Sequence, residues 1–476
     1  MKTINRNYEF AKNTIILLIG KFSTQFITFL FLPLYTYFLS ADDYGYVDLI
    51  QTYIVLFVPI ITLRIDSAVF RFLIDCRSDE DEKKSVITNS IFIMVLGCIF
   101  TVIAGLIIIC FFDFKYKINI IINIVVLLIS NVLLQVLRGL GKNIDYSIAS
   151  IITAIFTFVT TCLFIIIFKC GANSILISTS IANLICIFYI IIRVDLIKYL
   201  KFKSFDRRKI REIISYSFPM IPNALSWWVV NVSDRTIISF FLGSAFNGIY
   251  AISCKFSNIL NSVFSIVNMS WQELASLHVN DDDRNEYFSE TISKIFWIFA
   301  SISLLIIAIL PLCYNIIIGK DFYDSYRYIP MLLYANLINV LSCLIGSIYI
   351  ALKRTKEIAF TTIFSAILNI IINVVLIKKI GLYAAIASTL ISYFVIFIYR
   401  YYDIKKYINI KFDFISLFVF SIIFVIFELM YLSNIIIVRI INLICITITV
   451  LIMNRKYIKL FLKKIKSIDG VQYEKK

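Results

Sequence analysis

Residues 52–70 read TYIVLFVPIITLRIDSAVF. The run is long and apolar enough to enter a bilayer, yet it carries Arg64 and Asp66. A charge near the middle of a membrane helix costs about 3 kcal/mol even on lenient insertion scales. On a continuous helix, residues two apart point to different faces, whereas partners lie three or four apart. Arg64 has Ile60 and Ala68 at its four-apart positions, and Asp66 has Thr62 and Phe70. Neither is an ionic partner, so the two charges need another explanation.

The chain around them is of the same kind. Its 476 residues are 60% hydrophobic and 16% charged, with mean hydropathy +0.90, whereas a soluble chain is about 25% charged. It reads as an all-α polytopic membrane protein. The basic N-terminus, MKTINRNYEFAKN, precedes an apolar run too long for a secretory signal, so the first span is expected to stay as an anchor. Ten cysteines stand singly with no CxxC spacing, and His278 is the only histidine. Neither a disulfide framework nor a metal site is expected.

A span needs about 20 apolar residues. Fourteen such stretches occur, near 13–38, 46–70, 86–112, 118–137, 147–168, 173–192, 213–240, 248–275, 286–312, 329–352, 357–377, 381–399, 413–432 and 434–453. With the N-terminus inside, 33 of the 46 Lys and Arg fall on the cytoplasmic side and 7 outside. The net charge of +16 is therefore an orientation signal rather than a nucleic-acid footprint. Both termini are expected in the cytoplasm. The tail RKYIKLFLKKIK (455–466) has the pattern of a basic amphipathic helix, suited to anionic headgroups.

The richest basic loop, 198–212, follows the sixth span, where two halves would join. FLSADDYGYVDLIQTY (38–53) aligns with FLGSAFNGIYAISCKF (241–256), matching Gly45 to Gly248. GANSILISTSI (171–181) resembles GLYAAIASTLI (381–391), and RGLGKNIDYS (138–147) is loosely like KRTKEIAFTT (353–362). The order predicts two pseudo-symmetric six-helix lobes, 1–197 and 213–405, joined by the linker 198–212. Two C-terminal helices (406–453) and a basic tail (454–476) follow. Repeats of this kind characterise transporters, whose substrate site lies at the repeat interface.

Six cations lie within spans: Lys21, Arg64, Arg235, Lys255, Lys294 and Arg439. The first four occupy the first two helices of each lobe. At about 1.5 Å per residue, Lys21 and Arg64 lie toward the cytoplasmic side and Arg235 and Lys255 toward the outer side. Such a ladder suits an anionic headgroup, a diphosphate above all. The alternative is structural pairing, of Arg64 with Asp66 or Asp48 and of Arg235 with Asp234. Lys294 is placed to snorkel, and Glu428 with Arg439 reads as a structural pair. Trp227, Trp228 and Trp271 are candidates for stacking on sugar rings, against the usual interfacial anchoring of tryptophan. No nucleophile elbow, phosphate-cradling glycine loop or large outer loop is present, so no enzyme is expected.

SADDYGYVDLIQTY (40–53), DSAVFRFLID (66–75), YSFPMIPNALSWWVVNVSDRTIISFFLG (216–243), NGIYAISCKFSNIL (247–260) and LKRTKE (352–357) together resemble the Wzx-type polysaccharide flippases of the multidrug/oligosaccharidyl-lipid/polysaccharide exporter superfamily. The resemblance spans about residues 8–450. It implies translocation of an undecaprenyl-diphosphate-linked repeat, for an O-antigen or capsule, from the inner to the outer leaflet of the bacterial cytoplasmic membrane. It implies alternating access without a cofactor, driven by a proton, a sodium ion or the membrane potential. The cavity cations carry over to Lys21, Arg64, Arg235 and Lys255, with Asp66 and Asp234 as charge-balancing or coupling residues and Arg71 at the cytoplasmic mouth. Expected partners are the lipid-linked glycan, membrane lipids, a polysaccharide polymerase and chain-length proteins. A multidrug exporter of the superfamily is disfavoured by the cations, and a polymerase by the missing outer loop. A lipid-II flippase stays open on charge alone.

Overall fold

The computed structural model describes residues 27, 29–76, 78–200 and 205–455, with all their side chains except those of residues 223, 226, 227, 230, 231 and 355. Every regular element among the described residues is helical. The first half holds α1 (Phe29–Phe38), α2 (Ala41–Ile61), α3 (Ile65–Asp75), α4 (Glu80–Phe111), α5 (Lys117–Gly139), α6 (Asn143–Cys162), α7 (Asn173–Val194) and α8 (Arg207–Ser217). Then come α9 (Ile221–Phe241), α10 (Ser244–Leu277), α11 (Arg284–Ile317), α12 (Ile329–Ala351), α13 (Thr355–Ile380), α14 (Leu382–Ile404), α15 (Phe414–Leu432) and α16 (Ile436–Met453). Eleven helices among the described residues are long and apolar enough to cross a membrane. The expected seventh and eighth spans are helical too, as α9 and α10, of 21 and 34 residues. The first is described only over α1.

The chain divides into two compact units, Met1–Gly248 and Ile249–Lys476. In a bilayer, apolar surface alone does not drive helices together, so small residues and interhelical hydrogen bonds fix the packing. In the first unit α7 packs on α5 and α6. Asn123 of α5 donates to Leu176 O (3.1 Å), Thr179 Oγ1 (2.6 Å) and Ser180 Oγ (3.1 Å) of α7. In the second unit α14 packs on α12 and α13. There Asn369 of α13 donates to Ser388 Oγ (3.3 Å) and Thr389 Oγ1 (3.1 Å). The aligned motifs 171–181 and 381–391 are thus both polar clamp surfaces. Their leading glycines, Gly171 (φ +57°) and Gly381 (φ +59°), both turn the chain through the left-handed region that glycine tolerates.

The second unit also buries a charge that the sequence places in a loop. Arg400 is 5% exposed in α14. It donates to Thr361 Oγ1 (3.0 Å), Thr362 Oγ1 (3.1 Å) and Ser342 O (3.0 Å). No carboxylate among the described residues lies within ion-pair distance of it. Gly346 makes the room: a Cβ there would sit 3.0 Å from Nη1. Both threonine hydroxyls already donate to Ile358 O, so removing the guanidinium strands no donor. Because a buried charge without a counter-ion is costly, Arg400→Met is expected to match the wild type within about 1 kcal/mol, whereas Arg400→Ala loses about 3 kcal/mol to the cavity. Thermal unfolding of the detergent-solubilised variants measures this. A melting loss in the methionine variant as large as in the alanine variant would contradict it.

Candidate functional site

The expected second span is two helices. α2 ends at Ile61 and α3 begins at Ile65. Pro59 has no N–H to offer the turn before it, and four residues on the chain enters the left-handed region twice in succession, at Leu63 (φ +50°) and Arg64 (φ +57°). For non-glycine residues this costs about 1–2 kcal/mol each. The turn is held by Arg64 N donating to Pro59 O (3.1 Å) and Ile65 N to Thr62 O (3.0 Å). It is also held by the fully buried face of α3, Ile65, Ala68, Val69 and Leu73, which packs on α5, α4 and α8.

The break overturns the argument from helical spacing. With Arg64 outside the helix, its Nη1 reaches Asp66 Oδ2 at 3.6 Å and its Nη2 donates to Ser67 Oγ at 2.7 Å. Arg64 Nε is buried and has no hydrogen-bond partner. The guanidinium is partly exposed, at 29% of its side-chain surface. A cation held in a strained turn, incompletely bonded and open to a ligand, is a common arrangement at binding sites.

A second cation lies at the other end of α2. Asp48 and Thr52 are four apart and share a face of α2, and Trp228 and Arg235, seven apart, share a face of α9. Arg235 Nη1 lies 3.2 Å from Asp48 Oδ2 and donates to Oδ1 at 3.3 Å and to Thr52 Oγ1 at 3.1 Å. Trp228 Nε1 donates to Thr52 O at 2.9 Å, with its ring 5.9 Å from that of Tyr53. A carboxylate from another helix, that of Asp48, thus meets Arg235. Asp48 and Arg64 are about 24 Å apart along the chain's helical rise, so the two cations mark opposite ends of one segment.

Beside Arg235 the backbones touch. A Cβ on Gly45 would lie 1.9 Å from Ser244 O, and one on Gly248 would lie 2.1 Å from Ala41 O. Asn247 Nδ2 donates to Gly45 O at 2.8 Å. The repeat register aligns Ala41 with Ser244 and Gly45 with Gly248, so each glycine meets the counterpart of the other's neighbour.

The basic linker, read above as an orientation signal, forms the amphipathic helix α8. Asp206 caps it, accepting from Arg208 N at 2.8 Å. Lys209 bridges Glu82 (3.1 Å) and Glu212 (3.0 Å). Burial alone would lower its pKa, but the two carboxylates hold it above the usual lysine value. Lys209 also lies 5.3 Å from the Phe72 ring, and Arg138 4.6 Å from that of Phe70. Phe72, Tyr216, Arg208 and Arg211 line a cleft of about 500 Å³. Arg71 pairs with Asp75 at 3.0 Å and stays half exposed. The C-terminal half of α3 thus carries an open basic collar, which loop charges alone did not reveal.

The remaining expected residues fall as follows. Lys21 and the Trp227 side chain lie outside the described residues. Lys255 is half-buried on α10 in the second unit. Trp271 is a correction: it is 1% exposed, donates to Leu344 O at 2.9 Å and packs edge-on against Phe288, so its ring is core and presents no face to a sugar. Lys294 pairs with Glu290 at 2.6 Å on an open face. Glu428 is not the partner of Arg439, whose Nε donates to Ser433 O at 2.8 Å instead.

Residues 10–271 match the family model described as polysaccharide biosynthesis protein. No curated protein matches the sequence. In fold, the chain is similar to an inward-facing multidrug-resistance transporter of the MATE family, of the MOP superfamily, at TM-score 0.68 and 12% identity, covering 80% of this chain and 96% of that one. It is similar to the lipid II flippase MurJ in an inward closed conformation at TM-score 0.68 and 18% identity, covering 94% and 100%. An outward-facing MATE transporter matches at TM-score 0.55 and 12% identity, covering 84% and 96%.

Proposed function

The chain belongs to the polysaccharide biosynthesis protein family, and from that premise we propose that it is a flippase. It carries a polyprenyl-diphosphate-linked oligosaccharide from the inner to the outer leaflet of the bacterial cytoplasmic membrane, by exposing its cations to the two sides in turn. The observation that carries this reading is Arg64. Its guanidinium stands in a doubly left-handed turn with one donor unmet and only Asp66 and Ser67, both close in sequence, as side-chain partners. A diphosphate would take up the exposed part of the guanidinium, whose planar fork suits phosphate oxygens.

On this reading the headgroup first meets the collar at Arg71, Arg208 and Arg211, reaches Arg64, and leaves past Arg235 while the lipid tail stays in the bilayer. Asp66 and Asp48 moderate the charge that the substrate must release; Asp234 stays a candidate for ion coupling. The protein makes and breaks no covalent bond.

The test uses cells lacking the gene, with a lectin or glycosidase added to intact spheroplasts. Lipid-linked repeat is expected to accumulate and to stay shielded until lysis. Complementation with Arg64→Gln is expected to lower surface polysaccharide at least about tenfold at normal membrane level, the loss of one charged hydrogen-bond donor set. Repeat already accessible outside the deletion cells would show that translocation survives without this protein, and the flippase reading would fall.

A further inference from the structure

The second unit holds a cleft of about 550 Å³ at one end of its helices, where α11, the short helical turn Lys320–Tyr328, α14 and the α15–α16 hairpin meet. Two of its walls are pinned. Tyr326 and Tyr431 stack at 4.0 Å and exchange hydrogen bonds, each hydroxyl donating to the other's carbonyl at 2.9 and 3.0 Å. The Tyr314 hydroxyl bonds Ser325 Oγ and donates to Phe322 O at 3.3 Å. Tyr383 sits edge-on to Tyr328 at 4.9 Å and is 37% exposed.

Arg439 enters this cleft. Its Nε is fixed by Ser433 O, its Nη2 reaches Asn434 Oδ1 only at 3.5 Å, and its guanidinium lies 5.8 Å from the Tyr326 ring. No carboxylate among the described residues lies within ion-pair distance of it. Asp324, the acidic residue of the lining, is engaged with Arg327 at 3.1 Å.

We propose that this cleft is a binding site for an acidic saccharide, one whose carboxylate meets Arg439 while a pyranose face lies against the tyrosines. The chemistry is specific on both counts. The C–H face of a sugar ring is apolar and packs on an aromatic face, while its hydroxyls take up planar groups such as Asp324 and Asn434. The arginine supplies two parallel donors of the kind carboxylates accept. Volumes of about 300–1,000 Å³ are those of small-ligand sites, and the pinned tyrosines leave little ordering to be lost on binding. The site rests on the flippase reading for its role. By the expected orientation it faces outward, where it would retain the glycan after translocation.

The experiment is saturation-transfer NMR on the full chain in nanodiscs, with glucuronate, glucose and inorganic phosphate as separate probes. Glucuronate is expected to bind, glucose weakly. Arg439→Gln is expected to weaken glucuronate at least about tenfold and Tyr383→Ala about threefold, with thermal unfolding confirming that both variants fold. No glucuronate binding, or binding unmoved by either variant, overturns the site. Phosphate binding as tightly as glucuronate, unmoved by Tyr383→Ala, overturns the saccharide assignment and leaves a bare anion site. The flippase reading fails separately, in the leaflet measurement above, which uses no probe of this cleft.

Discussion

Replacing Arg235 with alanine is expected to abolish surface polysaccharide and to destabilise the protein by about 3–5 kcal/mol, the usual penalty for breaking a buried ion pair from one side. The magnitude follows from the asymmetry of the pair. The Asp48 side chain is 6% exposed and Arg235 21%, so without the guanidinium the carboxylate has neither counter-ion nor water. Thr52 cannot rescue it, because the Thr52 hydroxyl already donates to Asp48 O at 2.9 Å. A group so stranded gives up its charge or unfolds its surroundings. The double variant Asp48→Asn with Arg235→Gln removes both charges together and leaves amides of similar shape. It is expected to recover most of the lost stability and none of the export. Thermal unfolding of the solubilised proteins and surface polysaccharide in complemented cells give the two readouts, and the cycle isolates the pairwise coupling. A double variant that exports normally would reduce the pair to structural support. One as unstable as Arg235→Ala would show that Asp48 is not what the single variant strands.

The membrane fold was legible because a bilayer leaves the chain few choices: every backbone group must be bonded within its own helix. Long apolar stretches such as 86–112 therefore read directly as the helix α4. Irregularities were not legible by the same logic. The spacing rule that kept Arg64 from Asp66 assumes an unbroken helix, and only Pro59 hints that the helix stops. The two left-handed residues that follow are held by burial of α3 against α5, a tertiary cause. The faces that meet at Arg235 were present in the sequence as the four-apart Asp48 and Thr52. Which helix they would face was not, so Asp48 was not expected beside Arg235. Arg400 was lost to a boundary: the polar run Arg400–Asp403 reads as a loop, while the threonines that solvate its guanidinium lie on another helix. Trp271 shows the converse, a residue type common at membrane interfaces placed in the core by one hydrogen bond to Leu344 O.

The glycine pair gives the other large expected effect. Non-bonded Cβ atoms do not approach a carbonyl oxygen to 1.9 or 2.1 Å, the distances at Gly45 and Gly248. Both contacts are with backbone, so no side-chain rotation relieves them. Alanine at either position must push the first turns of α2 and α10 apart, at the cost of overpacking, about 1–3 kcal/mol. If the touching arrangement is one of two states exchanged during transport, that cost falls on this state alone. It would then change the ratio of the states about 5- to 150-fold, since each 1.4 kcal/mol is a factor of ten. Gly45→Ala and Gly248→Ala are therefore each expected to reduce surface polysaccharide at least about fivefold at normal membrane level. The two losses should be similar, because the repeat makes the contacts reciprocal. A structural readout separates this from misfolding. Asn247 is fully buried. In a background with the ten native cysteines replaced, Asn247→Cys should resist a membrane-impermeant maleimide, and adding Gly45→Ala should make it reactive. Full export by both alanine variants, with position 247 still protected, would mean that the segments accommodate a methyl group without parting, and that the contact plays no part in the transport cycle.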